Sequence, residues 1–334
     1  MKYLVITITM LCCISFTYAQ NIHTPAEIFK IIEESELTYE LGILEEPIPV
    51  PDRSSRLNYN HYYRTTIDGK MVTYAYEVSD ETKELLGLAE KQYAQNDYTL
   101  ARSLYLQVLE SDSNYYEVMT YIGQMYEAEK NYEKAIEWYK IAIEHNYIDY
   151  MAHWFLADAY YVLERKEDAL NEISIALILN RNNPRLRGSF DRIYKQNKLS
   201  TSDWSFNPQI KLDSISPVEY SLKFDKDWLG FGLVKSVWAF EPGYSESMGV
   251  AKGNYSTLEE KEAIASLLAG LSKKQMKKNP EFKALKMALD QGMINDYILF
   301  ETVLTQNPHV AYQLPEESIL GIREYLINVR GNVK

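Results

Sequence analysis

The stretch GYSESMG, residues 243 to 249, holds Ser245 two places after a glycine, as a nucleophile elbow does to lift a hydroxyl toward a carbonyl carbon. That turn must close on a glycine, and Ser247 stands in its place. LGFGLVKS, residues 229 to 236, begins like a phosphate-cradling loop. It lacks the last glycine of a dinucleotide loop and the Gly-Lys-Ser/Thr end of a nucleoside triphosphate loop. Both glycine patterns read as loop packing. The five histidines, His23, His61, His145, His153 and His309, show no metal-ligand spacing such as His-Glu-x-x-His. His153 has no carboxylate or histidine partner at helical spacing and reads as a buried member of a helical pair.

Paired acids at Glu33-Glu34, Glu259-Glu260 and Glu316-Glu317 could serve general acid–base work. The last two pairs fall in expected first helical turns, where negative charge complements the helix dipole. Lys273, Lys274, Lys277 and Lys278 form the one dense basic patch. They read as the close of a helix begun near Thr257, again suiting the dipole, with an acidic partner or lipid head groups as the minority reading. Asn254-Tyr255-Ser256 fits a glycosylation triplet that is common by chance. No catalytic constellation survives, and the chain reads as non-enzymatic, with no cofactor and no metal.

The elements that would position any site start from a chain of 334 residues, 46% hydrophobic and 25% charged, with net charge −12. That composition is globular, and the acidic balance speaks against nucleic acid as a partner. MKYLVITITMLCCISFTYAQ opens on Lys2, runs apolar from Leu4 to Phe16 and offers a cleavage site at Thr17-Tyr18-Ala19. It reads as a signal peptide over residues 1–19, too short for a membrane span. Met10 and Leu11 are too bulky for a lipobox before Cys12, so an outer-membrane lipoprotein is disfavoured. Both cysteines lie in this leader, so the mature chain has no disulfide or thiolate chemistry. Loss of Lys2 takes the charge from −12 to −13. The mature chain is expected in the periplasm or secreted, without a transmembrane helix, as a monomer.

Residues 20–80 begin with a helix capped by Thr24 and Glu27, with Pro25 in its first turn and Ile28, Ile31 and Ile32 on one stripe. Pro47, Pro49 and Pro51 stop it in an extended linker. A β-hairpin follows, turning at Asp68-Gly69. Beyond Leu199, residues 200–256 read as irregular structure with short strands. Residues 257–334 return to helices, from a capping box at Thr257 and Glu260 and from starts at Asn279-Pro280-Glu281 and Pro315-Glu316-Glu317. Gly292 and Gly331 read as stops.

Between these lies a pattern that returns every thirty-four residues. Ala89, Gly123 and Ala157 share one register; Ala101, Ala135 and Ala169 a second; Val108, Ala142 and Ala176 a third. Small residues there let two antiparallel helices approach closely, while Leu88, Ile122, Leu156, Tyr105, Tyr139 and Ile173 fill the space between them. The period and pattern resemble the tetratricopeptide repeat, a helix–turn–helix unit. The resemblance covers residues 82 to 198, about a third of the chain. It implies an α-solenoid of three repeats over 81–199 with a capping helix after Asn183-Pro184. The whole fold class is then mainly α, with a small N-terminal helix and hairpin and a mixed α+β C-terminal region. Two departures stand out. The proline that often follows the second helix is Ser113, Tyr147 and Arg181, and the usual glycine of the inter-helix turn is Asn96, Lys130 and Glu164.

The family binds peptides on a concave wall built from each unit's first helix. By register that wall would be Leu86, Glu90, Tyr93, Thr120, Gln124, Glu127, Trp154, Asp158 and Tyr161, a set of i, i+4, i+7 stripes. Tryptophan and tyrosine there are candidate anchors. Chaperone-binding members grip a peptide carboxylate with basic residues; Glu90, Gln124 and Asp158 occupy those slots, so that clamp is absent and a basic protein or peptide fits instead. The chain thus reads as an interaction scaffold of the bacterial envelope. A glycan or nutrient binder using aromatic platforms and a hydrolase housed in residues 200–334 are the alternatives. The hairpin or residues 203–248 could instead cover the wall from within.

Overall fold

The structure, a computed structural model, describes residues 22–51, 62–254 and 256–333. The expected leader with Cys12 and Cys13, His61, and Tyr255 of the glycosylation triplet lie outside the described residues.

Helix α1 (Pro25–Glu34) starts as its sequence predicts. Thr24 and Glu27 cap each other's backbone, and Ile28 is buried. The helix then stops sooner than expected, at Ser35, and Thr38–Ile43 forms strand β1. Its Thr, Tyr, Leu and Ile suit a pleated surface, and the ladder it joins is supplied by a strand far along the chain. Strands β2 (Tyr62–Ile67) and β3 (Lys70–Ala75) make the hairpin, with Asp68 and Gly69 at φ of 51° and 74° in the two-residue turn.

The repeats give six helices in three pairs: α2 (Asp80–Ala94) with α3 (Tyr98–Ser111), α4 (Glu117–Ala128) with α5 (Tyr132–His145), and α6 (Tyr150–Val162) with α7 (Lys166–Leu179). Helix α8 (Leu186–Gln196) follows as the first helix of an unfinished fourth unit. All nine small slots are buried, eight of them alanines or valine with no exposed surface. At the ninth, a methyl on Gly123 would overlap the ring of Tyr139. Leu88 is the exception among the expected space-fillers. It is 44% exposed, because no earlier unit packs against α2.

The inter-helix turns keep the left-handed residue that glycine usually supplies. Asn96, Lys130 and Glu164 sit at φ of 62°, 62° and 58°. Each turn closes with the same pair of backbone bonds, for example Glu164 N–H to Tyr161 O and Arg165 N–H to Tyr160 O. Asp97 and Asn131 then cap the next helix.

Strands β4 (Ile210–Ser216) and β5 (Glu219–Phe224) complete a three-stranded sheet in the order β1-β5-β4, parallel between β1 and β5 and antiparallel between β5 and β4. Residues 229–236, read as loop packing in the sequence, form most of helix α9 (Leu229–Phe240). Its glycines permit close packing: a methyl on Gly230 would press on the Ser266 carbonyl, and one on Gly232 on Leu222. Helices α10 (Tyr244–Ser247), α11 (Thr257–Gly270), α12 (Lys273–Lys278), α13 (Pro280–Asp290), α14 (Ile294–Ile298), α15 (Leu304–Gln306) and α16 (Glu316–Asn328) follow, with a π turn at Leu299–Val303 and a 3-10 turn at Pro308–Gln313. The cap of α11 is Ser256, not Thr257, and Glu260 turns instead to Lys235.

Helix α16 and the 3-10 turn pack on α7, the outer helix of the third unit. The apolar interior is divided in two. One body joins Tyr139, α6 to α8, the sheet, Ile28 and the C-terminal helices; the other gathers Tyr105, Val108, Ile122 and Tyr63 around the first two units and the hairpin.

Candidate functional site

The wall residues sit on the first helices α2, α4 and α6, and they differ sharply in availability. Glu90 and Tyr93 are exposed, Tyr93 by 45%. Leu86 packs half-buried against the core of the first two units. Thr120 is a correction to the sequence reading: it is buried and donates its hydroxyl to Asp149 at 2.8 Å, so it offers nothing to a partner. Asp149 is thereby held as the cap of α6, accepting from Met151 and Ala152.

Gln124 and Glu127 of α4 are partly exposed. Glu127 accepts from Tyr139 Oη at 2.6 Å. Burial and the nearby Asp158 carboxylate push the Glu127 carboxyl above its ordinary range, against the Tyr139 hydrogen bond. Burial and then the Glu90 carboxylate push the Tyr105 hydroxyl up to about 12.

In the third unit the wall is engaged from within the chain. Trp154 Nε1 donates to Ser189 Oγ of α8 at 2.8 Å, and Ser189 donates to Asp158 Oδ2 at 2.8 Å. Arg192 of α8 pairs with Asp158 at 2.9 Å and lies 5.4 Å from the centre of the Tyr161 ring. The element engaging Trp154 is therefore the capping helix. The hairpin packs elsewhere, along the loops that join one unit to the next: Tyr116 Oη and Asn146 Nδ2 both donate to Tyr62 O, at 2.9 and 2.8 Å. Tyr63 packs on Tyr116, and Tyr76 stacks on Tyr115 at 5.3 Å.

Sequence reasoning missed Ser189 and Arg192, although the signal was present. Arg192 stands thirty-four residues after Asp158, so Glu90, Gln124, Asp158 and Arg192 are one register slot on four successive first helices.

The motifs weighed for catalysis resolve into packing. Ser247 donates to Tyr244 O, and Ser245 to Glu246. Lys235 holds both Glu259 and Glu260 at 2.6 Å. His153 is buried, with Nδ1 2.6 Å from Glu172 and Nε2 2.9 Å from Tyr147 O. A further polar cluster went unread: Glu262, buried, accepts from the His23 backbone at 2.7 Å, from Trp238 at 2.6 Å and from Tyr244 at 2.9 Å. It fastens α1 to α9 and α11. Among the described residues no group of three or more His, Cys, Asp or Glu is placed to hold a metal ion, and no helix is long and apolar enough to cross a membrane.

Residues 86–146 match the family model for the tetratricopeptide repeat. This stretch carries tetratricopeptide repeats. The register of its paired helices continues through α6 and α7 to α8. Solved structures similar to this chain include the first tetratricopeptide domain of Spaghetti (RPAP3) bound to the HSP90 peptide SRMEEVD, 20% identical, covering 36% of this chain and 99% of that one, with a TM-score of 0.35. The type III secretion chaperone SycD of Yersinia enterocolitica, with a peptide of the translocator YopD, is 19% identical over 36% of this chain and 97% of its own, with a TM-score of 0.33. The Sgt2 tetratricopeptide domain of Aspergillus fumigatus is 16% identical, covering 39% and 89%, with a TM-score of 0.34. No curated protein matches the chain.

Proposed function

We propose that this protein is a non-enzymatic interaction scaffold of the bacterial envelope that captures a basic protein or peptide segment on its first-helix wall. The observation carrying this reading is the Arg192 contact. In the third unit a carboxylate and a tyrosine one turn apart, Asp158 and Tyr161, receive a guanidinium from α8. The first unit presents the same pair, Glu90 and Tyr93, exposed and without an ion pair among the described residues. An arginine or lysine from a partner would meet there what Arg192 meets on Asp158: a charge partner and an aromatic face. Glu127, on the helix between the two sites, extends the acidic track, with the neutral Gln124 beside it as a further polar contact.

The leader over residues 1–19 supports export to the periplasm or beyond, and the mature chain is proposed to act as a monomer. N-terminal sequencing after cell fractionation tests this, with Gln20 expected as the new first residue in the exported fraction. The binding reading is tested by titrating short arginine-rich and glutamate-rich peptides against the chain from Gln20 onward. Tight, salt-sensitive binding of the basic set alone is expected, weakened by about 1 kcal/mol in Tyr93→Ala and in Glu90→Gln. Equal binding of both peptide sets, or no effect of either substitution, would retire the assignment.

A further inference from the structure

The lysines of α12 do not sit where the sequence suggests. Helix α11 ends at Gly270, and α12 is a separate helix opened by a capping box between Ser272 and Gln275. Lys273 and Lys274 therefore fall in a first turn, where positive charge opposes the helix dipole. Lys277 and Lys278 do fall in the last turn and suit the dipole, but no local electrostatic benefit explains Lys273 and Lys274. Lys273, Lys274, Lys277 and Lys278 are all exposed, and none is in an ion pair among the described residues. Their spacing sets them along one face. The other face is fixed: Gln275 donates to Asp227, and Met276 packs on the core. Lys226 is exposed as well, between the carboxylates Asp225 and Asp227.

We propose that this lysine face is a docking surface for an anionic phospholipid bilayer. Three features of the patch select that partner. Lysine is depleted in the cores of protein–protein interfaces, which rely on aromatic and arginine anchors, and the exposed positions of α12 carry neither. Single-stranded nucleic acid calls for aromatic platforms among the basic residues, and α12 has none. Lysine ammoniums are hydrated point charges suited to a diffuse plane of phosphates, with no need for the forked geometry of arginine. The net charge of −12 does not prevent this. At physiological salt, charges more than roughly 8 Å from the membrane are largely screened, so the local patch decides.

The test is co-sedimentation of the chain from Gln20 onward, which keeps every described residue, with phosphatidylcholine vesicles with or without phosphatidylglycerol. Binding to the phosphatidylglycerol vesicles alone is expected, and it should fall as salt rises. Each lysine contributes roughly fivefold, so replacing Lys273, Lys274, Lys277 and Lys278 together by Gln should weaken binding by roughly six-hundredfold. The same four changed to Arg should retain it, which separates lost charge from lost folding. No binding at low salt, equal binding to both vesicles, or an unaffected Gln variant would overturn the proposal. Retention on a polyanionic resin without vesicle binding would overturn it too, in favour of another polyanion.

Discussion

Arg181, just past the end of α7, places its guanidinium 3.0 Å from the buried carboxylate of Glu301 and 3.7 Å from the centre of the Phe300 ring. Arg330 reaches the same carboxylate and lies 4.1 Å from the centre of the Trp204 ring, while Tyr325 donates to Glu301 at 2.9 Å. Arg181 occupies a slot where the repeat family often carries proline. Tyr147, in the same slot one unit earlier, faces Arg64 of the hairpin at 5.8 Å. Two of the three residues in the proline slot, Tyr147 and Arg181, are therefore points where the rest of the chain attaches to the solenoid.

Glu301→Gln should cost about 3–5 kcal/mol, because two buried guanidiniums lose their counter-charge. Burial raises the Glu301 carboxyl, yet Arg330 and Arg181 outweigh it and hold it below its ordinary range. Its contribution is thus present above the unfolded pKa and is lost as pH falls through the folded one. Denaturant midpoints measured from neutral pH downward should show the wild type converging on the variant in acid. A constant gap would refute the assignment.

Gly123→Ala should destabilise the second unit by about 1–3 kcal/mol, since the new methyl must displace the Tyr139 ring and its hydrogen bond to Glu127. Thermal melting followed by circular dichroism reads this directly. An unchanged Tm would mean that α4 and α5 pack in another register.

Lys130→Gly and Glu164→Gly should each stabilise the chain by up to about 1 kcal/mol, because both residues hold left-handed dihedrals that glycine adopts without strain. Asn96→Gly should gain less, asparagine already tolerating that region. The denaturant midpoint should rise with no change in slope; a fall in either variant would contradict the turn geometry.

Glu127→Gln should raise Tm at neutral pH while weakening a basic peptide. A carboxyl whose folded pKa is raised stabilises the fold fully below its unfolded pKa, and that stability is lost as pH rises through the folded value. The variant should therefore overtake the wild type as pH climbs from below 4.5 toward neutrality. Parallel Tm curves across that range would show the carboxyl to be solvated.

What could be read from sequence was whatever is local or periodic. The Thr24 cap, the Asp68-Gly69 turn and the nine small slots each depend on neighbours or on a fixed interval. Strand β1 was missed because the strand it pairs with, β5, lies far along the chain. Helix α9 was missed because Gly230 and Gly232 look like loop residues, although they serve close contacts with Ser266 and Leu222. Of the wall, Glu90 and Tyr93 are presented as the register implies, whereas burial of Thr120 depends on Asp149. Capture of Asp158 required one more step of the same thirty-four-residue count.

The division of the apolar interior gives the molecule one anchored end and one compliant end. Tyr139, most of α6 and α7 share a continuous body with the C-terminal helices, whereas α2 and α3 belong to the smaller body, which the hairpin, α4, Ala142 of α5 and Ala152 of α6 complete. In a solenoid, where each unit is held mainly by its neighbours, the end unit yields first under load. The exposed pair Glu90 and Tyr93 is carried on that compliant end. A partner seated there would tighten the first unit as it binds, and tension on the partner would loosen that unit before disturbing the clasp at Glu301.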